Sequence, residues 1–246
     1  MSIAAAVAQQ IQSAGGAFMF SREVKAFAAT TGTDGFLPGY TRGRGGVLGE
    51  VDADVVTAAF GFFPPETVRA AWESVDMPAA KAAHGYLTAC QDFGRRKLAE
   101  FPDADRLADL LHTVAQAADV AGVPLFAGWR ALPLPDDAPG RVQQLLHVLR
   151  ELRGGLHLIA VRAHEIPPRQ AVLISGSPRY TGAEQAKLFG WPEPYTDPTP
   201  AQRARWEAAE AMTDTLIAPA FAALTAAEAA DLVTLVDAAT RHMFTR

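Results

Sequence analysis

The residues of this sequence best suited to chemistry are two arginines and a histidine that lie beside glycines. Arg44 falls within the glycine-rich passage from Gly35 to Gly49, while Arg153 and His157 bracket the pair Gly154-Gly155. An arginine can donate a forked pair of hydrogen bonds to an anionic group. A histidine can accept a proton as a general base. We interpret Arg44, Arg153 and His157 as candidate polar anchors for a ligand.

The glycine-rich passage does not fit a nucleotide-binding loop. A P-loop ends in Gly-Lys-Ser/Thr, and both it and the dinucleotide fingerprint follow a β-strand. The stretch from Gly39 to Gly46 contains no lysine, and no strand pattern precedes it. The remaining functional possibility is that an arginine of this passage binds an anionic group of a ligand. The alternative is that Arg44 satisfies helix carbonyls or an internal carboxylate.

The pair Gly154-Gly155 interrupts the strongest helical pattern of the chain. Each glycine inside a helix costs about 1 kcal/mol relative to alanine. A helix that carries this cost indicates close approach by a ligand or by a neighbouring backbone. Two hypotheses are therefore open, a ligand beside His157 or tight packing of another helix.

Motifs for metal binding and nucleophilic catalysis are missing from the sequence. HExxH does not occur, and His157 and His164 share a helix face with no carboxylate placed beside them, so no metal site is expected. Cys90 lies in a helical pattern typical of inert core cysteines, and Gly-x-Ser-x-Gly is missing. No cofactor is identified. Whether the protein is an enzyme stays open, with His157 as the candidate general base.

Helical spacing of apolar residues organises nearly the whole chain. The clearest segment runs from Gly140 to about Glu165, ends at Pro167-Pro168, and carries one apolar stripe. The stripe comprises Leu145, Leu149, Leu152, Leu156 and Ile159. We expect it to be buried against neighbouring helices. No segment alternates convincingly as a strand, and the prediction is an all-α fold.

The composition limits both the architecture and the class of function. The chain has 246 residues, of which 49% are hydrophobic, which excludes disorder and allows a large buried core. The single cysteine rules out an internal disulfide framework, and no apolar run is long enough to cross a membrane. We predict a helical body over 1–139 and a long helix with a degenerate winged-helix-like part over 140–246, together forming one compact unit. The expected location is the cytoplasm.

A helix-turn-helix outline is present near the C-terminus. Two short helices are predicted over Pro168 to Ile174 and Thr181 to Phe189, joined by a glycine-containing turn. Arg169, Arg179 and Lys187 would supply a basic face for DNA. The net charge of −5 disfavours a dedicated nucleic-acid binder. Nucleic acid is therefore the second choice of partner, behind a small molecule.

Several stretches of the chain together form a family pattern. They are Gly35-Phe36, Gly39-Tyr40, Arg44, Leu48-Gly49, Val56 to Phe63, Pro65, Pro124 to Ala127, Leu132-Pro133, Leu149-Arg150, Arg153-Gly154, His157, Gly190-Trp191, Glu210 to Asp214 and Ala218-Pro219. With these stretches the sequence resembles an actinobacterial helix-turn-helix-like family that includes SalK-type proteins of natural-product gene clusters. The resemblance implies an all-helical body joined to a winged-helix-like portion, and it implies no settled activity. The family pattern His-Arg-Gly-Asp-Gly-His is altered here, because Leu152 and Gly155 replace the first histidine and the aspartate.

These observations favour a small-molecule-binding protein that is accessory to secondary metabolism or regulates it. Its pocket would lie between the glycine-rich passage and the long helix. Tyr40, Phe63 and Trp129 would supply aromatic walls around the three polar anchors. The alternatives are a winged-helix-type transcription regulator, which would be a homodimer, and an enzyme that uses His157.

Overall fold

The computed structural model describes residues 2–177 and 180–245 of the chain. Within these ranges the chain forms thirteen α-helices and no β-strand, which confirms the predicted all-α fold. The helices are α1 (Ile3–Ala17), α2 (Arg22–Ala29), α3 (Phe36–Gly45), α4 (Ala53–Phe60), α5 (Pro65–Glu73), α6 (Ala79–Lys97), α7 (Ala104–Ala117), α8 (Pro124–Arg130), α9 (Ala138–Ala163), α10 (Pro168–Ser175), α11 (Gly182–Phe189), α12 (Pro200–Phe221) and α13 (Ala226–Thr245). None of the helices in the described residues is long and apolar enough to span a membrane.

Helix α9 forms the centre of the molecule and packs against α1, α6, α7, α8 and α12. Its first turn is capped by Asp137, whose carboxylate accepts a hydrogen bond from the backbone N–H of Gly140 at 2.8 Å. The predicted apolar stripe is buried as far as Leu152, but Ile159 is 40% exposed. The stripe repeats every 3.5 residues whereas a straight helix turns every 3.6, so the stripe rotates away from its partners along the helix.

The glycine-rich passage is mainly a buried helix, α3, followed by a 3₁₀ turn over Gly46–Leu48. A side chain at Gly46 would bring its Cβ within 2.3 Å of the backbone oxygen of Ala79 in α6. Gly46 therefore lets the 3₁₀ turn lie close to the backbone of α6. Gly43 does the same for α3, because a Cβ there would lie 2.7 Å from Cδ2 of Tyr86 in α6. This packing carries Arg44 into the interior.

The C-terminal helix pair lies where the sequence predicts it. Helices α10 and α11 pack against each other, and the capping box of Thr181 and Glu184 is present. The end of α11 rests on the turn between α4 and α5, because Phe189 stacks on Phe63 at 4.0 Å between ring centroids. The indole of Trp191 also donates a hydrogen bond to the backbone oxygen of Phe62.

The two predicted parts, 1–139 and 140–246, share one apolar core. Buried residues from α1, α6, α7, α9, α12 and α13 belong to the same cluster of contacting side chains. The division at residue 139 stays a prediction. No wing built from strands occurs in the described ranges.

Candidate ligand-binding site

Arg44 is buried against the middle of α9. Its Nε and Nη2 atoms donate hydrogen bonds of 2.9 and 2.7 Å to the two carboxylate oxygens of Glu151, and Nη1 donates to the Tyr40 hydroxyl at 3.2 Å. Burial alone would raise the pKa of Glu151, but the adjoining guanidinium outweighs it and lowers that pKa to about 2. Arg44 and Glu151 thus form an internal ion pair, which was the open alternative for this arginine.

Aromatic rings surround the Arg44 guanidinium. Its central carbon lies 4.5 Å from the centroid of the Phe60 ring, within the range of a cation–π contact. Tyr40 packs on Phe60 and Phe63, with ring centroids 5.7 and 5.9 Å apart. The structure therefore brings Tyr40, Arg44 and Phe63 together in one cluster.

Trp129 occupies a different place. It is fully buried, and its indole N–H donates to the backbone oxygen of Arg44 at 3.1 Å. Its ring also lines a cavity of about 230 Å³ among α7, α8 and α9, together with Arg130 and Gln144. Trp129 supports the backbone of Arg44 and is separate from the aromatic cluster around the guanidinium.

Arg153 and His157 face helix α12. Nη2 of Arg153 donates to Oε2 of Glu210 at 2.6 Å and lies 3.9 Å from Oδ1 of Asp214. Nδ1 of His157 is 2.9 Å from the hydroxyl of Thr213, and its Nε2 is 3.7 Å from Oε1 of Glu210, too far for a hydrogen bond. Two stretches of the family pattern therefore meet at the contact between α9 and α12.

The hydrogen bonds of Thr213 determine the tautomer of His157. The Thr213 hydroxyl donates its one hydrogen to the backbone oxygen of Ala209 at 2.7 Å. It can therefore only accept from the imidazole, so Nδ1 of His157 carries the proton and Nε2 carries a lone pair. Burial lowers the pKa of His157 below its ordinary value, although the carboxylate of Glu210 opposes this. The imidazole is neutral at pH 7, with Nε2 free to accept a hydrogen bond.

The two glycines of α9 have different surroundings. A Cβ on Gly155 would lie 2.7 Å from Cγ1 of Val123, so close packing explains this glycine. A Cβ on Gly154 would have no atom within 4 Å beyond its chain neighbours and helix backbone. Gly154 is also half-buried, so solvent reaches this space in part.

The open space above Gly154 lies between the two polar clusters. Glu151, His157 and Leu158 are three or four positions from Gly154 and share its face of α9. Residues 60–62 pass over this face, since Phe60 contacts Arg44, Gly61 packs on Leu158 and Phe62 contacts His157. We call this space, bounded by these residues, the Gly154 notch.

Two of the three basic residues proposed for DNA lie within the described ranges, and one of them is engaged by the protein itself. The Arg169 guanidinium donates to the backbone oxygen of Pro194 and lies 5.8 Å from the Tyr195 ring centroid. Lys187 is exposed on α11. Arg179 lies outside the described residues.

The sequence analysis assigned no role to the carboxylates that face the predicted bases. Glu151, Glu210 and Asp214 pair with or adjoin Arg44 and Arg153. Glu151 could have been recognised from the sequence, because it is a carboxylate beside the apolar stripe of the longest helix. An unpaired charge is costly at such a position, so a partner is expected. Among residues 2–177 and 180–245, no group of three or more His, Cys, Asp and Glu side chains could hold a metal ion.

Comparison with known proteins identifies the family. No curated protein and no solved structure matches the chain. A family model described as "Helix-turn-helix family" matches residues 4–246. The chain therefore belongs to the helix-turn-helix family.

Proposed function

We propose that this protein binds a small organic molecule in the Gly154 notch. The observation that carries the proposal is the open space over Gly154, in the middle of a 26-residue helix that packs against α1, α6, α7, α8 and α12. Helical glycine without a packing reason is costly, and here it lies one turn from both Glu151 and His157. Aromatic rings and polar side chains around a partly open space are typical of ligand sites.

Within this proposal the predicted residues have distinct roles. Tyr40 and Phe63 form the aromatic wall. Arg44 links this wall to α9, because it donates hydrogen bonds to both Tyr40 and Glu151. Arg153 fixes Glu210, while His157 presents Nε2 to the ligand. Trp129 does not contact the ligand in this proposal. It positions Arg44 through the hydrogen bond from its indole N–H to the Arg44 backbone oxygen.

Helix α11 offers a second candidate function, DNA binding, which the family description favours. It carries one exposed acid, Glu184, beside one exposed base, Lys187. Arg169 is engaged by Pro194, and the chain has a net charge of −5. These features favour the binding of a small molecule and disfavour the binding of DNA through its phosphates. A salt-sensitive shift of promoter DNA by the purified protein would reverse this ranking.

The wider setting of the proposal comes from the resemblance to SalK-type proteins of actinobacterial natural-product clusters. That resemblance supports a role beside secondary metabolism, either as an accessory protein or as a regulator, and the expected location stays the cytoplasm. An enzyme acting through His157 would use the same notch.

The experiment is a thermal-shift screen of small organic molecules against the wild type and Gly154→Leu. A ligand of the notch raises the melting temperature of the wild type by mass action and has no effect on the variant. Ala163→Leu adds the same side chain at an exposed position of α9 and should leave every response intact. Compounds that stabilise both leucine variants equally would contradict a site at Gly154.

A further inference from the structure

We propose that the Gly154 notch selects a primary or secondary ammonium group on an apolar body, held between Nε2 of His157 and the carboxylate of Glu210. The inference rests on the proposed function and names its ligand class. Two observations support this ligand class. Some atoms around the notch can still accept hydrogen bonds, and the charged side chains beside them carry a net negative charge.

Two hydrogen-bond acceptors face each other beside His157. Nε2 of the neutral His157 ring carries a lone pair, because the ring's one N–H is on Nδ1, where it donates a hydrogen bond to the Thr213 hydroxyl. Oε1 of Glu210, which faces it at 3.7 Å, is also an acceptor. A group with two or more N–H hydrogens can donate to both atoms at once. A ligand hydroxyl has one hydrogen and a ligand carboxylate has none.

The side chains around His157 carry more negative than positive charge. The carboxylates of Glu210 and Asp214 face a single guanidinium, that of Arg153. Asp214 Oδ1 is buried and has no hydrogen-bond partner among the described residues. The imidazole of His157 adds no positive charge at pH 7, because burial lowers its pKa. One added cation therefore balances this group of side chains.

Aromatic rings favour the same ligand. Phe62 and Trp206 both contact the His157 ring, with centroids 5.9 and 4.9 Å away. The negative face of an aromatic ring attracts a cation, and its apolar surface packs against the rest of a ligand. Because both rings contact His157, an ammonium at Nε2 would lie beside aromatic surface that the apolar part of the ligand can contact.

An anionic ligand is disfavoured by the state of the arginines. Arg44 gives its forked hydrogen bonds to Glu151, and Arg153 gives a short one to Glu210. Nε of Arg153 is buried without a hydrogen-bond partner among the described residues, but a carboxylate or phosphate that reached it would lie beside Glu210 and Asp214. Like charges at this distance repel each other, so the side chains around His157 favour a cation over an anion.

The test compares benzylamine, benzyl alcohol and benzoate, which share a phenyl ring and differ in charge and in donor hydrogens. Each is titrated to millimolar concentration into the wild-type protein labelled with ¹⁵N-histidine at neutral pH. We expect benzylamine alone to raise the melting temperature and to shift the Nε2 resonance of His157. We expect Glu210→Gln to weaken benzylamine binding by about tenfold or more, as loss of a charge-assisted hydrogen bond implies.

The control for Glu210→Gln is Glu207→Gln, which neutralises an exposed carboxylate on the same helix and should retain binding within about twofold. A readout that needs no variant is the tautomer, since the unliganded wild type should show Nδ1 protonated and Nε2 unprotonated. A proton on Nε2 at neutral pH, or no response of His157 to benzylamine, overturns the inference. Tighter binding of benzoate or benzyl alcohol, abolished by Gly154→Leu, overturns the ammonium class and leaves the proposed function standing. A screen with no hit sensitive to Gly154→Leu removes the proposed function itself.

Discussion

Alanine substitutions at the two adjacent glycines of α9 should have unequal effects, stabilising the protein at Gly154 and having a neutral to destabilising effect at Gly155. Both positions are helical, so each substitution gains about 1 kcal/mol of helix propensity. At Gly154 the added methyl group meets no atom within 4 Å, and the gain should appear in full. For a protein of this size that gain raises the melting temperature by about 2–4 °C.

At Gly155 the same methyl group lies 2.7 Å from Cγ1 and 3.2 Å from Cβ of Val123, a fully buried residue. Overpacking of this kind typically costs about 1–3 kcal/mol. Because the helix gain is common to both variants, the free energies of unfolding of Gly154→Ala and Gly155→Ala should differ by about that overpacking cost.

The assay is urea unfolding followed by far-ultraviolet circular dichroism, with melting temperatures measured in parallel. The linear extrapolation gives the free energy of unfolding of each variant with the wild type as reference. Equal shifts for the two variants would refute the reasoning, because they would mean that Val123 yields freely or that the space over Gly154 is filled. A destabilised Gly154→Ala would refute the notch directly.

Three further predictions follow from buried polar groups. Glu151→Gln should cost about 3–5 kcal/mol in urea unfolding, because it leaves Arg44 charged and unpaired in the interior. His147 is fully buried, and burial lowers its pKa from 6.5 to about 3. In that pH window the unfolded chain binds a proton that the folded one does not, so each unit of acidification should cost about 1.4 kcal/mol. His147→Leu should remove this part of the acid sensitivity, and an unchanged pH profile would contradict it. Burial raises the pKa of the Cys90 thiol, so iodoacetamide should modify it only in urea, and rapid labelling of the native protein would contradict this.

The parts of this fold that sequence predicts well are those set by local patterns. Apolar spacing, proline positions and capping residues predict the long helix and the pair α10 and α11, including the capping box at Thr181. These signals act within one or two helical turns and need no knowledge of neighbours.

The pairing of the candidate residues depends on contacts that are distant in the chain. Arg44 and Glu151 are 107 positions apart, and no periodicity relates them. Gly154 and Gly155 look identical in sequence, and only the approach of Val123 to one of them tells them apart. The composition of the glycine-rich passage is typical of a loop. The passage is nevertheless helical, because its small residues let α3 pack closely on α6.

The ion pair of Arg44 and Glu151 also governs what would follow from splitting the chain at residue 139. The first fragment would retain Arg44 without its counter-ion, and the second would retain Glu151 with only the neighbouring Arg150 to pair with it. Each fragment would also expose a large apolar surface to water. Neither fragment should fold alone. Mixed in equal amounts, the two should reassemble noncovalently, and complementation should be lost when Arg44 or Glu151 is replaced.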